Sequence, residues 1–457
     1  MNTSLESVTY QTVERIQGPL LFLNNIELVK FEEMISIEMF NGEIRQGQVL
    51  QADPNLTIIQ VFEGTELIDK DSVKVTFSQD VFKLGVAEAM LGRRMNGRGI
   101  PIDGQGEILP EAYLEVNGNP INPAERIKPG DFIETGISSI DMLNSLVLGQ
   151  KLPIFSGAGL PTKELAAQIA TQARIKNQEA EFAVIFGAMG ITERDGRFFQ
   201  RSFENAKISN LIFFSNYASD SIIERLLIPR IAMTVAEFLA FEKGYQSLVI
   251  LTDMLNYAEA LREVSAAREE FPGRLGYPGY LYTDLATIYE RVGRIISKHG
   301  SVTLFPVLTM PNDDITHPVP DLTGYITEGQ IFLDRNLFNL GYYPPINPLP
   351  SLSRLMNAGI GEGKTRADHR EIADQLYAFY AKGVQLRQLV AIAGEESLSD
   401  RDKRFLNFAD EFEQRFIHQG QVRRTIENSL DLSWELLRTI PKDELTRIKK
   451  EDVDHYY

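Results

Sequence analysis

Residues 152–172 read LPIFSGAGLPTKELAAQIATQ. LPIFS is an apolar run of strand length, SGAGLP a turn rich in glycine and proline, and the remainder a helix-period stretch. The same texture recurs downstream. FAVIF (182–186), LIFFS (211–215), SLVILTD (247–253) and VTLFPVLT (302–309) read as buried parallel strands. Between them run long amphipathic stretches at 162–178, 221–244, 257–271 and 284–300. Strand and helix in alternation predict an α/β domain with helices on both faces of a parallel sheet, and ligands beyond the strand C-termini.

The flanks differ in texture. From about 6 to 75, SVTYQTVERI, GPLLFL, MISIEMF and TIIQVFEG are short β-branched or aromatic runs. Asn41-Gly42 and Asp53-Pro54-Asn55 punctuate them, and Asn-Gly is a hairpin signal because both residues tolerate positive φ. Several short strands so close together predict a small β-barrel. After Leu355 strand signals stop. Residues 367–394, 399–420 and 425–441 read as amphipathic helices, opened by Asp, Ser or Thr caps, with Trp434 in the core. The expected division is a β-barrel at 1–75, an α/β domain at 76–355 and a helical domain at 356–457.

Composition narrows the classes. The 457 residues carry a net charge of −17, which argues against a nucleic-acid binder, since phosphate backbones reward clustered Lys and Arg. Without cysteine there is no disulfide, thiolate metal site or Cys nucleophile. The five histidines are scattered without metal-ligand spacing, so no metal site is expected. No apolar run approaches the roughly 20 residues of a membrane-crossing helix. The best candidate, 226–241, is broken by Pro229, Arg230 and Glu237. The N-terminus MNTSLESVTYQTVE lacks the basic and apolar regions of a secretory signal. A soluble chain is expected, reaching membranes only through partners.

The turn at 156–164 stands where a phosphate loop belongs, with backbone N–H groups cradling phosphate and a lysine neutralising it. Its letters depart from G-x-x-x-x-G-K-[ST]. Gly157 and Gly159 are present, but Pro161 occupies the last-glycine position and Thr162 the lysine position. Proline also removes a cradle donor. Lys163 comes one residue late and faces elsewhere on a helix turning about 100° per residue. A second string, Ala358 to Thr365, ends in Gly-Lys-Thr but follows the proline-rich NPLPSLSRLMN rather than a recognisable strand, and reads as an exposed loop. Asp253 closes SLVILTD, where it serves either as a helix N-cap or as a Walker B-type Mg²⁺ carboxylate.

Residues 248–294, 320–335 and 344–355, with GRRMNGRGIPIDG (92–104), DFIETGISSIDMLNSLVLGQKLPIFSGAGLP (131–161) and GITERDGRFF (190–199), resemble the B subunits of rotary V-type and A-type ATPases. The resemblance runs almost end to end. It implies an alternating ring with catalytic A subunits, joined by central and peripheral stalks to a membrane rotor that moves H⁺ or Na⁺. Such a head is cytoplasmic, on the inner face of the membrane. ATP or ADP with Mg²⁺ would sit at A–B interfaces, held mainly by A, and the barrel would join a collar of neighbouring barrels.

Two departures agree with a non-catalytic member: Thr162 replaces the loop lysine, and Ile191 stands where active relatives carry the water-polarising carboxylate. The alternative, a self-sufficient hexameric ATPase, needs both groups. The segment Pro350-Ser351-Leu352-Ser353-Arg354 resembles the family's S-x-S-R signature. That implies Arg354 as an arginine finger acting in trans, with Ser351 and Ser353 at the interface. A local salt bridge or a helix-terminal charge is the other reading of Arg354. By the same resemblance the loop at 272–282, with Tyr277 and Tyr280, lies near the central shaft; otherwise it is a rigid surface loop.

Overall fold

The computed structural model describes residues 9–10, 13–26, 29–53, 55–175 and 181–457. The readings of the extreme N-terminus, the Pro54 turn and the end of the helical stretch beyond 175 fall wholly or partly outside them. The chain divides into two compact units. One comprises 1–120, 183–239 and 251–291; the other comprises 121–182, 240–250 and 292–457.

The first unit opens with the expected β-barrel sheet. Its seven antiparallel strands run in the order Thr9–Tyr10, Lys74–Val81, Glu33–Glu38, Ile44–Asp53, Leu56–Val61, Leu20–Leu23, Val13–Gln17. Inward residues at every second position, such as Ile35 and Ile37, build its core with Val49, Ile59, Val75 and Phe77. The Asn41-Gly42 hairpin is present, but only Gly42 takes the left-handed backbone (φ 81°). Asn41 instead accepts a hydrogen bond from Glu43 N–H at 3.0 Å through its side chain.

All five expected strands of the α/β region exist: Ile154–Gly157, Phe182–Ile191, Leu211–Tyr217, Gln246–Thr252 and Ser301–Met310. In the first unit Phe182–Ile191 pairs in parallel with Leu211–Tyr217, which pairs in parallel with Arg94–Met95. The helix Ile222–Glu237 packs there against Met254–Ala267 and Leu281–Tyr289. In the second unit Ile154–Gly157 lies between Ser301–Met310 and Gly329–Leu333, all parallel.

Two stretches differ from the sequence reading. NPLPSLS is a strand, Ile346–Ser353, antiparallel to Gly329–Leu333 at the end of the strand order. An edge strand tolerates Pro348 and Pro350 because its outward N–H groups need no partner. The amphipathic stretch from 284 stops being helical at Tyr289, and Gly293–Ile295 forms a strand paired with Arg126–Ile127 and Ser301–Met310.

The C-terminal part is helical: His369–Ala393, Asp400–Glu411, Ile426–Leu437 and Lys450–Tyr456. Ser399 and Thr425 cap their helices through side-chain oxygens. Asp368 does not cap; it accepts from the buried Trp434 Nε1 at 2.9 Å. Phe379, Phe405, Phe408, Phe412 and Phe416 fill the core around them. No helix among the described residues is long and apolar enough to cross a membrane.

Candidate functional site

The degenerate phosphate loop leaves the strand Ile154–Gly157 and opens the helix Thr162–Gln172, as its sequence position requires. Gly159 takes a left-handed φ of 81° with open space around it. Pro161 stands at the N-cap with no side-chain cap bond. Thr162 does not reach outward like a lysine: its hydroxyl turns back to the Ser156 hydroxyl, and its N–H is taken by Leu160 O at 2.8 Å. Lys163 is half-buried on the next helical position.

Two residues not singled out in the sequence meet over this loop. Asp313 follows the end of Ser301–Met310 and Arg335 the end of Gly329–Leu333, the strands flanking the loop strand. Arg335 donates bidentately to Asp313, Nε to Oδ2 and Nη2 to Oδ1, both at 2.8 Å. Arg335 Nη2 also donates to the loop carbonyl Ala158 O at 3.0 Å. A Cβ added at Gly157 would collide with the Asp313 carboxylate and with Arg335 Nη2. The guanidinium holds the Asp313 carboxyl below the usual carboxylate range. The pair borders a cavity of about 560 Å³ also lined by Gly157, Leu160, Met310 and Pro350. The only sequence signal for them was position, immediately beyond strand ends.

Arg354 follows the edge strand Ile346–Ser353 and is exposed. Its N–H donates to Glu328 O at 3.0 Å, and among the described residues its guanidinium makes no hydrogen bond or ion pair. The residues beneath it are fixed. Ser353 accepts from Gln150 Nε2 and donates to Ser145 O, each at 2.9 Å. Ser351 accepts from Phe332 N–H at 2.9 Å and donates to Asn347 O at 2.6 Å. Both serines, expected to face a neighbouring subunit, are instead buried inside the chain, and strand alternation leaves Leu352 and Arg354 outside. Ser353 pairs with Gly329 and Ile346 with Leu333. Arg354 therefore leaves at the strand-start end of the parallel sheet, opposite the phosphate loop. The structure does not bring the two together.

The remaining expected residues lie in the first unit. Asp253 caps the helix Met254–Ala267, accepting from Leu255 N–H at 2.8 Å. Ile191 ends its strand beside Gly190, whose N–H reaches Asn216 Oδ1 at 3.2 Å. Tyr277 is 2% exposed, its hydroxyl bonded to Glu259 and its ring under Arg262; burial pushes its pKa up and it presents no surface to a partner. Tyr280 is 38% exposed and donates to Glu270 at 3.0 Å, with burial pushing its hydroxyl up to about 12.

The Gly-Lys-Thr string at 361–365 follows a helical turn, Met356–Gly359, which separates it from the edge strand. Lys364 is spent on Ala358 O and on Asp131 at 3.6 Å, so it cradles nothing. Among the described residues no group of three His, Asp or Glu side chains is placed to hold a metal.

Comparison with known proteins agrees with this architecture. Residues 136–353 match the nucleotide-binding domain of the ATP synthase alpha/beta family, and residues 13–79 its beta-barrel domain. Residues 358–457 match the C-terminal domain of V and A type ATP synthase. The chain is similar to the solved ATP synthase subunit NeqB from Nanoarcheaum equitans, with 41% identity and a TM-score of 0.73. That match covers 89% of this chain and 98% of the other. With barrel, α/β domain and helical domain each matched in order, the chain belongs to the ATP synthase alpha/beta family, as a subunit of the V/A type.

Proposed function

We propose that this chain is the non-catalytic B subunit of a V/A-type ATPase head, alternating with catalytic A subunits and lending them Arg354. The observation that carries the reading is the state of that arginine. It is exposed, its fork is unpaired among the described residues, and its strand is pinned by Ser351 and Ser353. What sets it apart from other exposed arginines is its place, directly after a strand that Ser351 and Ser353 pin, with its fork open. It precedes the helical turn Met356–Gly359, where a cation gains nothing from the helix dipole.

Phosphoryl transfer spreads charge over the equatorial oxygens, and a planar guanidinium meets two of them at once. Arg354 leaves the sheet away from the chain's own loop, so the nucleotide it serves belongs to a neighbour. The chain's own loop does not fit Mg-ATP: a carboxylate stands over Gly157, and Thr162 brings no positive charge. Nothing at Ile191 can orient an attacking water. Turnover then depends on a closed interface, which ties chemistry to rotation and, through the stalks, to ion movement at the membrane rotor. The head would lie on the cytoplasmic face, and the complex would make or consume ATP.

ATPase activity of the pure chain, with and without a co-expressed A subunit, tests this against the self-sufficient ATPase. Activity only in the co-assembled complex is expected. Turnover by the chain alone overturns the reading.

A further inference from the structure

We propose that Asp313 and Arg335 form an intrachain plug that closes this subunit's own phosphate loop to polyphosphate. The plug rests on the reading that this chain's own loop takes no Mg-ATP and deepens it; it does not depend on the role given to Arg354.

Three observations converge on the pair. The first is placement. In a parallel sheet the anion site lies beyond the strand C-termini, and these side chains come from the ends of the strands on either side of the loop. The second is contact. The Asp313 carboxylate lies over Gly157, while Arg335 ties that carboxylate to the loop itself through Ala158 O. Both side chains are nearly half exposed, so the pair is a surface one, and a phosphate approaching the glycines would meet its carboxylate while the partner cation is engaged on it. The third is backbone conformation. Asn312 and Asp313 both adopt left-handed φ, 55° and 57°, a turn that Asn and Asp accept more readily than other side chains and that sets the Asp313 carboxylate over the loop. The loss of the lysine and the proline at 161 thus account for only part of the closure.

The cavity of about 560 Å³ beside the pair is large enough for a triphosphate chain once the carboxylate is gone. Arg335 would then be a guanidinium released next to the loop, in place of the missing lysine. The ligand class that this pair excludes is an inorganic or nucleoside polyphosphate.

Calorimetry on the full-length chain with inorganic tripolyphosphate, and separately with Mg-ATP, tests the plug. Asp313→Gly removes the carboxylate and suits the left-handed backbone; Asp313→Asn keeps the bulk and removes only charge. Tripolyphosphate should bind Asp313→Gly at least tenfold more tightly than the parent chain, with a smaller gain of the same sign in Asp313→Asn. The gain should vanish in Asp313→Gly/Arg335→Ala. Binding to the parent as tight as to Asp313→Gly, no gain in either single variant, or a gain that survives loss of Arg335 would overturn the proposal. Thermal unfolding of each variant confirms that it is folded, and Asp313→Asn carries the test if Asp313→Gly is not.

Discussion

The Ser353 hydroxyl donates to the Ser145 carbonyl at 2.9 Å, immediately before the exposed Arg354. The same oxygen accepts from Gln150 Nε2 at 2.9 Å, so the last turn of the edge strand is held from two directions. An arginine expected to meet a phosphate to within a few tenths of an ångström needs such a base.

Ser353→Ala leaves the Ser145 carbonyl without this donor and Gln150 without this acceptor, inside the chain. It should cost about 1–3 kcal/mol, read as a lowered urea midpoint of the isolated chain. In the assembled complex it should also lower turnover several-fold, by loosening the mount of Arg354. An unchanged turnover with the expected stability loss would show that the mount does not matter.

Arg291 is a separate structural anchor in the first unit. It is fully buried and pairs bidentately with Glu237 at 2.7 Å, while donating to Val116 O at 2.9 Å. Its guanidinium also fills the space above Gly118. Arg291→Ala strips Glu237 of its partner and should destabilise the chain by roughly 3 kcal/mol or more. Thermal unfolding of the two proteins side by side measures it.

His369 supplies a pH dependence in the second unit. Its ring is buried, bonded to Met142 O at 3.0 Å and Thr365 Oγ1 at 2.9 Å. Burial holds its pKa down to about 4 against an ordinary 6.5; Asp368 opposes this, and Arg366 and Arg370 add to it. Between pH 6.5 and 4 the unfolded chain takes up a proton that the folded chain refuses. Stability from this residue is therefore full above that window and lost as pH falls through it. From pH 7 to 5 the parent should lose about 2 kcal/mol more than His369→Gln, which keeps a donor for Met142. Equal losses in urea titrations would contradict this assignment.

The five central strands were legible because each is an apolar run between turn signals, and a buried parallel strand needs nothing else. Ile346–Ser353 was not, because Pro348 and Pro350 mask a strand that only its edge position permits. Gly293–Ile295 was hidden inside a helix-period stretch and is extended by pairing with the sequence-distant Arg126–Ile127 and with the strand that follows it, Ser301–Met310. The site divides in the same way. Thr162, Pro161 and Arg354 could be named from local spacing. The Asp313–Arg335 pair could not, since its members are 22 residues apart and only the order of strands places them over Gly157. Burial of Tyr277, Ser351 and Ser353 was equally invisible, because it depends on what packs against them.

Arg354→Lys in the assembled complex tests the central claim most directly. The substitution keeps the positive charge and removes the planar fork that would span two phosphoryl oxygens. Steady-state ATPase turnover should fall by roughly 10³-fold, with ring assembly and nucleotide binding to the catalytic partner largely unchanged. Turnover within a few-fold of the parent complex would show that the transition-state charge is met by another group, and that Arg354 is not the finger.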